Sequence, residues 1–209
     1  MSDQSERMNM NTSHPLLSIV DTQAYAQSPA FLGYYEASSR QWKHEASEQF
    51  FDFFQNQLND CTLFCSVTQN VVTEPFFTEA AQQSLRHLTA RGWLELDKAD
   101  EEIQRNFHIH PLTTKDTSLL RSLCELVIEG YTYGHVFLFW TKEKLVLYPH
   151  DDVGFGVLAP PRTTGELIGV EFLNQVKANG KFEVDIRRRV SQRAVGESVF
   201  RPQTAFGNV

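Results

Sequence analysis

The chain has 209 residues, a formal net charge of −7, 41% hydrophobic residues and three cysteines. This length fits one domain, and the apolar content is enough for a core without disulfide bonds. No apolar run approaches the roughly 20 residues of a membrane helix, and the polar residues 1–13 have no secretory signal pattern. These features predict a cytoplasmic protein with no membrane partner.

The charged residues are distributed unevenly along the chain. Residues 1–102 contain 15 acidic and 6 basic side chains, whereas residues 103–209 contain 11 and 13. A protein of this balance lacks the broad cationic field that phosphate backbones require, so general nucleic-acid binding is disfavoured. An acidic surface instead suits a basic protein partner.

In chain order, the sequence predicts a disordered leader over residues 1–14, a single α+β domain over residues 15–190 and a loop-like tail over residues 191–209. Apolar residues recur every three or four positions in two early segments, which predicts helices there. Alternating or β-branched runs predict strands between and after them. The early elements are helices Gln41–Leu58 and Thr78–Arg91, and strands Cys61–Val67, Trp93–Leu96 and Ile103–Ile109.

The second half of the chain continues with helices and short strands. Its predicted elements are helix Lys115–Glu129, a hairpin over His135–Tyr148, strand Val153–Leu158, helix Glu166–Ala178 and strand Phe182–Ile186. Helices and strands do not alternate strictly, and the clearest strands meet through a tight turn. The sequence therefore predicts a mainly antiparallel sheet with helices packed on one face, the other face being partly open.

The segment between the last two strands of the hairpin region, Leu147–Val157, carries the most distinctive side chains. It holds Tyr148, His150 and the adjacent carboxylates Asp151 and Asp152. One interpretation is structural, because Asp and Gly are the residues that a tight turn prefers. The other is that the two carboxylates form an exposed tip that binds arginine or lysine side chains of a partner, with Tyr148 and His150 beside them.

The succession of a hairpin, an aromatic residue and Asp-Asp-x-Gly resembles a family of uncharacterised small bacterial proteins with a Tyr-Asp-Asp-Arg-Gly segment. The likeness in motif covers Tyr148 to Val157, with His150 where that family has tyrosine and Val153 where it has arginine. The resemblance implies a bacterial or phage protein of the toxin-neutralising immunity type. Its partner would then be a basic protein such as a nuclease-type toxin.

A metal-dependent hydrolase is the first alternative. His108 and His110 would share one face of a strand, and together with His150 and Asp152 they would supply enough ligands for one ion. No phosphate-binding loop, dinucleotide fingerprint or serine nucleophile motif occurs, and the cysteines lie in apolar segments. The sequence therefore predicts no cofactor and favours binding over catalysis.

Two further features allow other interpretations. The run Arg187–Arg189 could contact RNA or an acidic partner, or it could protect the edge of the sheet from pairing with another chain. The helix with Phe50, Phe51, Phe53 and Phe54 could bind a partner helix, as in an accessory subunit of a larger assembly. Phenylalanines at helical spacing are more often part of the core.

Overall fold

The computed structural model describes residues 6–9, 14–70, 72–73, 76–96, 103 and 106–187. Its framework is one eight-stranded sheet with the strand order β1-β4-β3-β5-β6-β7-β2-β8. The strands are β1 (Glu6–Asn9), β2 (Phe31–Ala37), β3 (Cys61–Gln69), β4 (Asn106–Pro111), β5 (Thr132–Trp140), β6 (Leu145–His150), β7 (Gly154–Leu158) and β8 (Phe182–Ile186). All of these strand pairs are antiparallel, which confirms the predicted α+β fold.

Four α-helices with described bounds accompany the sheet, and the periodicity of apolar residues predicted all four within a few residues. They are α1 (Lys43–Phe54), α2 (Glu79–Arg91), α3 (Thr117–Ile128) and α4 (Thr164–Asn179). Helix α2 begins where the Thr78 side chain accepts a hydrogen bond from the Ala81 amide, 3.1 Å away. It ends at Gly92, whose φ of +75° suits a residue without Cβ.

The helices pack on one face of the sheet, here called the helical face. Phe50, Phe51 and Phe54 of α1 are fully buried there. The ring of Phe50 stacks on that of Phe155 in β7, with 4.9 Å between centroids. Because Phe50, Phe51 and Phe54 fill the core of this chain, these three rings are not available to a partner helix. These rings therefore belong to the core, which is the more common role of phenylalanines at helical spacing.

Part of the opposite face is covered by residues 14–30, which contain two short 3₁₀ turns. Leu16, Ile19 and Val20 of this segment pack on a second apolar cluster that includes Phe137 of β5. No element was predicted for residues 15–40, so both this covering segment and β2 were missed. We call this side of the sheet the strap face.

Three predictions require correction in this part of the fold. Strand β1 pairs with β4 over Glu6–Asn9, so the predicted leader contains regular structure. Trp93–Leu96 is not a strand, since its one ladder contact with the described residues is an isolated parallel bridge between Thr68 and Glu95. Ile103 is helical, and β4 begins only at Asn106. The predicted tail, residues 191–209, lies outside the described residues.

Within the described ranges, no helix combines the length and apolar character needed to cross a membrane. The three cysteines are buried free thiols, as their apolar surroundings predicted. Burial raises the pKa of the Cys61 and Cys124 thiols, which keeps both sulfurs protonated and unreactive.

Candidate functional site

The turn between β6 and β7 presents Asp151 and Asp152 to solvent. The next residue, Val153, has a φ of +63° and a side chain only 4% exposed. A β-branched residue in the left-handed region is strained, so the turn is held in place by its surroundings. The buried Val153 side chain and a 3.1 Å hydrogen bond from the Ala37 amide to the Val153 carbonyl provide this restraint.

Neither carboxylate stabilises the turn directly. Asp151 and Asp152 make no hydrogen bond or ion pair with any described residue. The interpretation of the two aspartates as backbone caps of the turn therefore has no geometric support. Their exposure agrees with the premise of a binding tip.

The two nearby glycines have a different role from the one that the turn composition suggested. Both lie in β7 rather than in the turn. A Cβ on Gly154 would lie 1.8 Å from the carbonyl oxygen of Tyr35, and one on Gly156 would lie 2.1 Å from the ring of Tyr148. Glycine at these positions permits a close backbone approach and lets the Tyr148 ring lie flat across the sheet.

The pairing of β2 with β7 and β8 brings further carboxylates beside the turn. Glu36 stands opposite Gly154 on one side and Glu183 on the other. Burial raises the pKa of Glu36, and the negative charges of Asp152 and Glu183 raise it further. We call the set of five carboxylates the acidic rim; it comprises Glu36, Asp151, Asp152, Glu183 and Asp185.

Next to the acidic rim, the strap face has a cleft of about 540 Å³. The ring of Tyr148 forms part of its lining and packs against Tyr25, with 4.6 Å between centroids. Tyr34 meets His150 edge to face at 6.4 Å. We call this the aromatic cleft; it is lined by Ala24, Tyr25, Ala26, Gln27, Phe31, Tyr34, Glu36, Tyr148, His150, Asp152 and Arg187.

His150 is a partly buried ionisable residue of this cleft. Both of its ring nitrogens are buried, and neither has a hydrogen-bond partner of normal geometry among the described residues. Burial lowers the pKa of His150, while the charges of Asp152 and Asp151 act in the opposite direction. The imidazole is therefore neutral at neutral pH and adds no positive charge to the cleft.

Among the described residues, Arg187 supplies the one cation of the cleft lining. Its guanidinium carbon lies 4.9 Å from the centre of the Phe31 ring. Its Nε donates to Asp185 at 2.8 Å. The sequence had placed Arg187 only in a basic run with Arg188 and Arg189, and these two residues lie outside the described residues.

The residues of the metal-site alternative are not brought together. His108 and His110 lie on β4 on the helical face, where His108 Nε2 is 2.6 Å from Glu95 Oε1 and the His110 ring packs on Trp93. His150 lies on β6 on the strap face, next to Tyr148. Three strand intervals of about 4.8 Å separate β4 from β6.

One ion cannot be shared across that distance and from opposite faces. No group of three or more metal-binding side chains occurs within the described ranges. The proposed ligand set of His108, His110, His150 and Asp152 was therefore wrong, because His108 and His110 lie on the opposite face of the sheet from His150.

Of the predicted partner-binding residues, the structure brings Tyr148, His150 and Asp152 together in the aromatic cleft, with Asp151 just outside its lining. Tyr25, Tyr34 and Glu36 were missed. The run Phe31–Tyr35 has the aromatic composition of a strand and was the available signal. No family model, curated protein or solved structure matches this chain.

Proposed function

We propose that this chain is a protein-binding protein of the immunity or inhibitor type. Its acidic rim would occupy a basic site on a partner protein, such as a nuclease-type toxin. One observation carries the proposal: four carboxylates of the rim have no ion-pair partner among the described residues, although they stand next to one another. These four are Glu36, Asp151, Asp152 and Glu183.

Such an arrangement is unfavourable in the isolated chain. Like charges directly opposite each other on neighbouring strands destabilise a sheet, and Glu36 faces Glu183 in this way. Lysine or arginine side chains of a partner would remove this repulsion on binding. Complementary charge also accelerates association and makes it sensitive to ionic strength.

The backbone around the turn supports the same proposal. Val153 is buried and held at a left-handed φ, so Asp151 and Asp152 are presented on a fixed framework. A binding surface that is already ordered loses less conformational entropy when the partner docks. In this proposal, Asp151 and Asp152 serve recognition and do not stabilise their own turn.

The test is affinity capture from cells that naturally express the protein, comparing three forms of the full chain. The first is wild type, and the second carries Asp151→Lys with Asp152→Lys. The third, carrying Asp52→Lys with Glu171→Lys, makes the same change in net charge at exposed positions of α1 and α4 on the helical face. Captured proteins are identified and their affinities are then measured by calorimetry with purified components.

We expect a basic partner to bind wild type and the helical-face control with similar affinity. The acidic-rim variant should bind it roughly several hundredfold more weakly, since charge reversal adds repulsion to a lost pair. The proposal is wrong if both variants lose the partner equally, because net charge would then explain the binding. It is also wrong if neither variant loses it.

A further inference from the structure

We infer that the aromatic cleft receives a single arginine side chain of the partner and that Asp152, rather than Asp151, pairs with its guanidinium. This inference rests on the proposed function and specifies how the acidic rim recognises its partner. It divides the two adjacent aspartates, which the sequence alone treats as equivalent, into a residue that lines the cleft and one that does not.

The composition of the cleft favours a cation. Aromatic faces attract cations through the negative potential above the ring, and the effect is strongest where water is excluded. The rings of Tyr25, Tyr148 and Tyr34 line this cleft. Burial raises the pKa of Tyr25 and Tyr148, so both hydroxyls remain neutral, and the formal negative charge in the lining comes from Glu36 and Asp152.

Arg187 already shows how this surface binds a guanidinium. Its planar group lies over the Phe31 ring and pairs with a carboxylate of the acidic rim. A second guanidinium between Tyr148 and Asp152 would repeat the same pair of contacts elsewhere in the cleft. Guanidinium is planar and weakly hydrated, whereas the compact ammonium of lysine holds water tightly, so flat aromatic walls favour arginine.

The volume of the cleft is also suitable. At about 540 Å³, it exceeds what one side chain fills and leaves room for the flanking backbone of a partner. Asp152 stands at the lining close enough to Glu36 to raise the pKa of that carboxyl. Two carboxylates at one end of an aromatic cleft can accept the several N–H groups that a guanidinium donates.

The test uses the full chain and a small probe, Nα-acetyl-L-arginine amide, followed by two-dimensional NMR of the isotope-labelled protein. The matched lysine amide keeps the charge, and the matched citrulline amide keeps the shape while removing the charge. We expect saturable shifts in residues lining the cleft, with a dissociation constant on the order of 1 mM. The lysine amide should bind more weakly, and the citrulline amide should cause no saturable shift.

Two single variants provide the decisive comparison. Asp152→Asn should weaken binding of the arginine amide about tenfold, the expected effect of losing one charge-assisted hydrogen bond. Asp151→Asn should leave the affinity nearly unchanged. The dispersion of the amide spectrum verifies in each case that the variant is folded.

The inference is overturned if the three amides give the same shifts, if Asp151→Asn and Asp152→Asn weaken the probe equally, or if no shift saturates. These failures are separate from a failure of the proposed function. An acidic rim without an arginine site would still lose its protein partner on double charge reversal while ignoring the small probe. If substitution of the aspartates weakens neither the protein partner nor the arginine amide, both the proposed function and the arginine site are rejected.

Discussion

The double variant Asp151→Asn with Asp152→Asn tests whether the two aspartates serve binding or stabilise their turn. The free energy of unfolding alone distinguishes these two roles. Asparagine preserves the size of each side chain and removes the charge. Neither aspartate has a hydrogen bond or ion pair with a described residue, so no favourable contact is lost. The charge of Asp152 raises the pKa of Glu36, which means that the two carboxylates repel each other.

The expected change in the free energy of unfolding follows from these contacts. Removing an exposed like-charge repulsion contributes up to about 0.5 kcal/mol of stabilisation, and other surface substitutions stay within about the same range. If the aspartates capped the turn through hydrogen bonds, weakening each of these bonds would lower the free energy of unfolding by about 1 kcal/mol. The double variant should therefore be as stable as wild type or slightly more stable at pH 7.

Urea denaturation followed by circular dichroism measures this difference, and the pKa of Glu36 can be followed by carbon-detected NMR in the same variant. We expect the pKa of Glu36 to fall towards its ordinary value. A loss of stability above about 1 kcal/mol would refute the reasoning. So would an unchanged pKa of Glu36, because the repulsion would then not exist.

Three other variants test the framework of the site. Burial lowers the pKa of His150 below its ordinary 6.5, so as the pH falls His150 is protonated in the unfolded chain before it is protonated in the folded chain. Relative to His150→Gln, wild type should therefore lose stability from about pH 7 downwards. A difference in stability that does not change with pH in urea titrations would contradict this. In Gly156→Ala the new Cβ would lie 2.1 Å from the Tyr148 ring and should displace it. We expect this variant to lose about 1 to 3 kcal/mol of the free energy of unfolding. A variant as stable as wild type would show that the ring adjusts freely. Phe155→Ala removes a fully buried ring stacked on Phe50 and should cost about 3 to 5 kcal/mol in the same assay, whereas a cost below about 1 kcal/mol would mean that the core is looser than its packing indicates.

Local sequence determined the helices of this protein and most of its strands. In α2, a Thr78 cap, apolar residues at helical spacing and Gly92 all act within one or two turns, so their effect does not depend on the rest of the chain. The same holds for the hairpin of β5 and β6, whose strands are joined by four residues. These elements could be predicted because their causes lie next to them in sequence.

The candidate site depended on the tertiary structure. Strand β2 pairs with β7 and β8, more than 110 residues later in the chain, and only this pairing places Glu36 beside Asp152 and Glu183. The position of Tyr25 over Tyr148 likewise follows from the packing of residues 14–30 on the strap face. Such contacts leave no local pattern, because a strand shows which of its side chains share a face but not which strand it joins.

The success of the local predictions and the failure to predict the site have one physical origin. Asp151 and Asp152 were identified from sequence because adjacent carboxylates at a turn are a local feature. The separation of His108 from His150 was decided by strand order and face, which local propensity does not specify. The sequence by itself determined which residues form each helix and hairpin; long-range strand pairing decided which side chains share a cleft, because that choice is made by burial of the whole core.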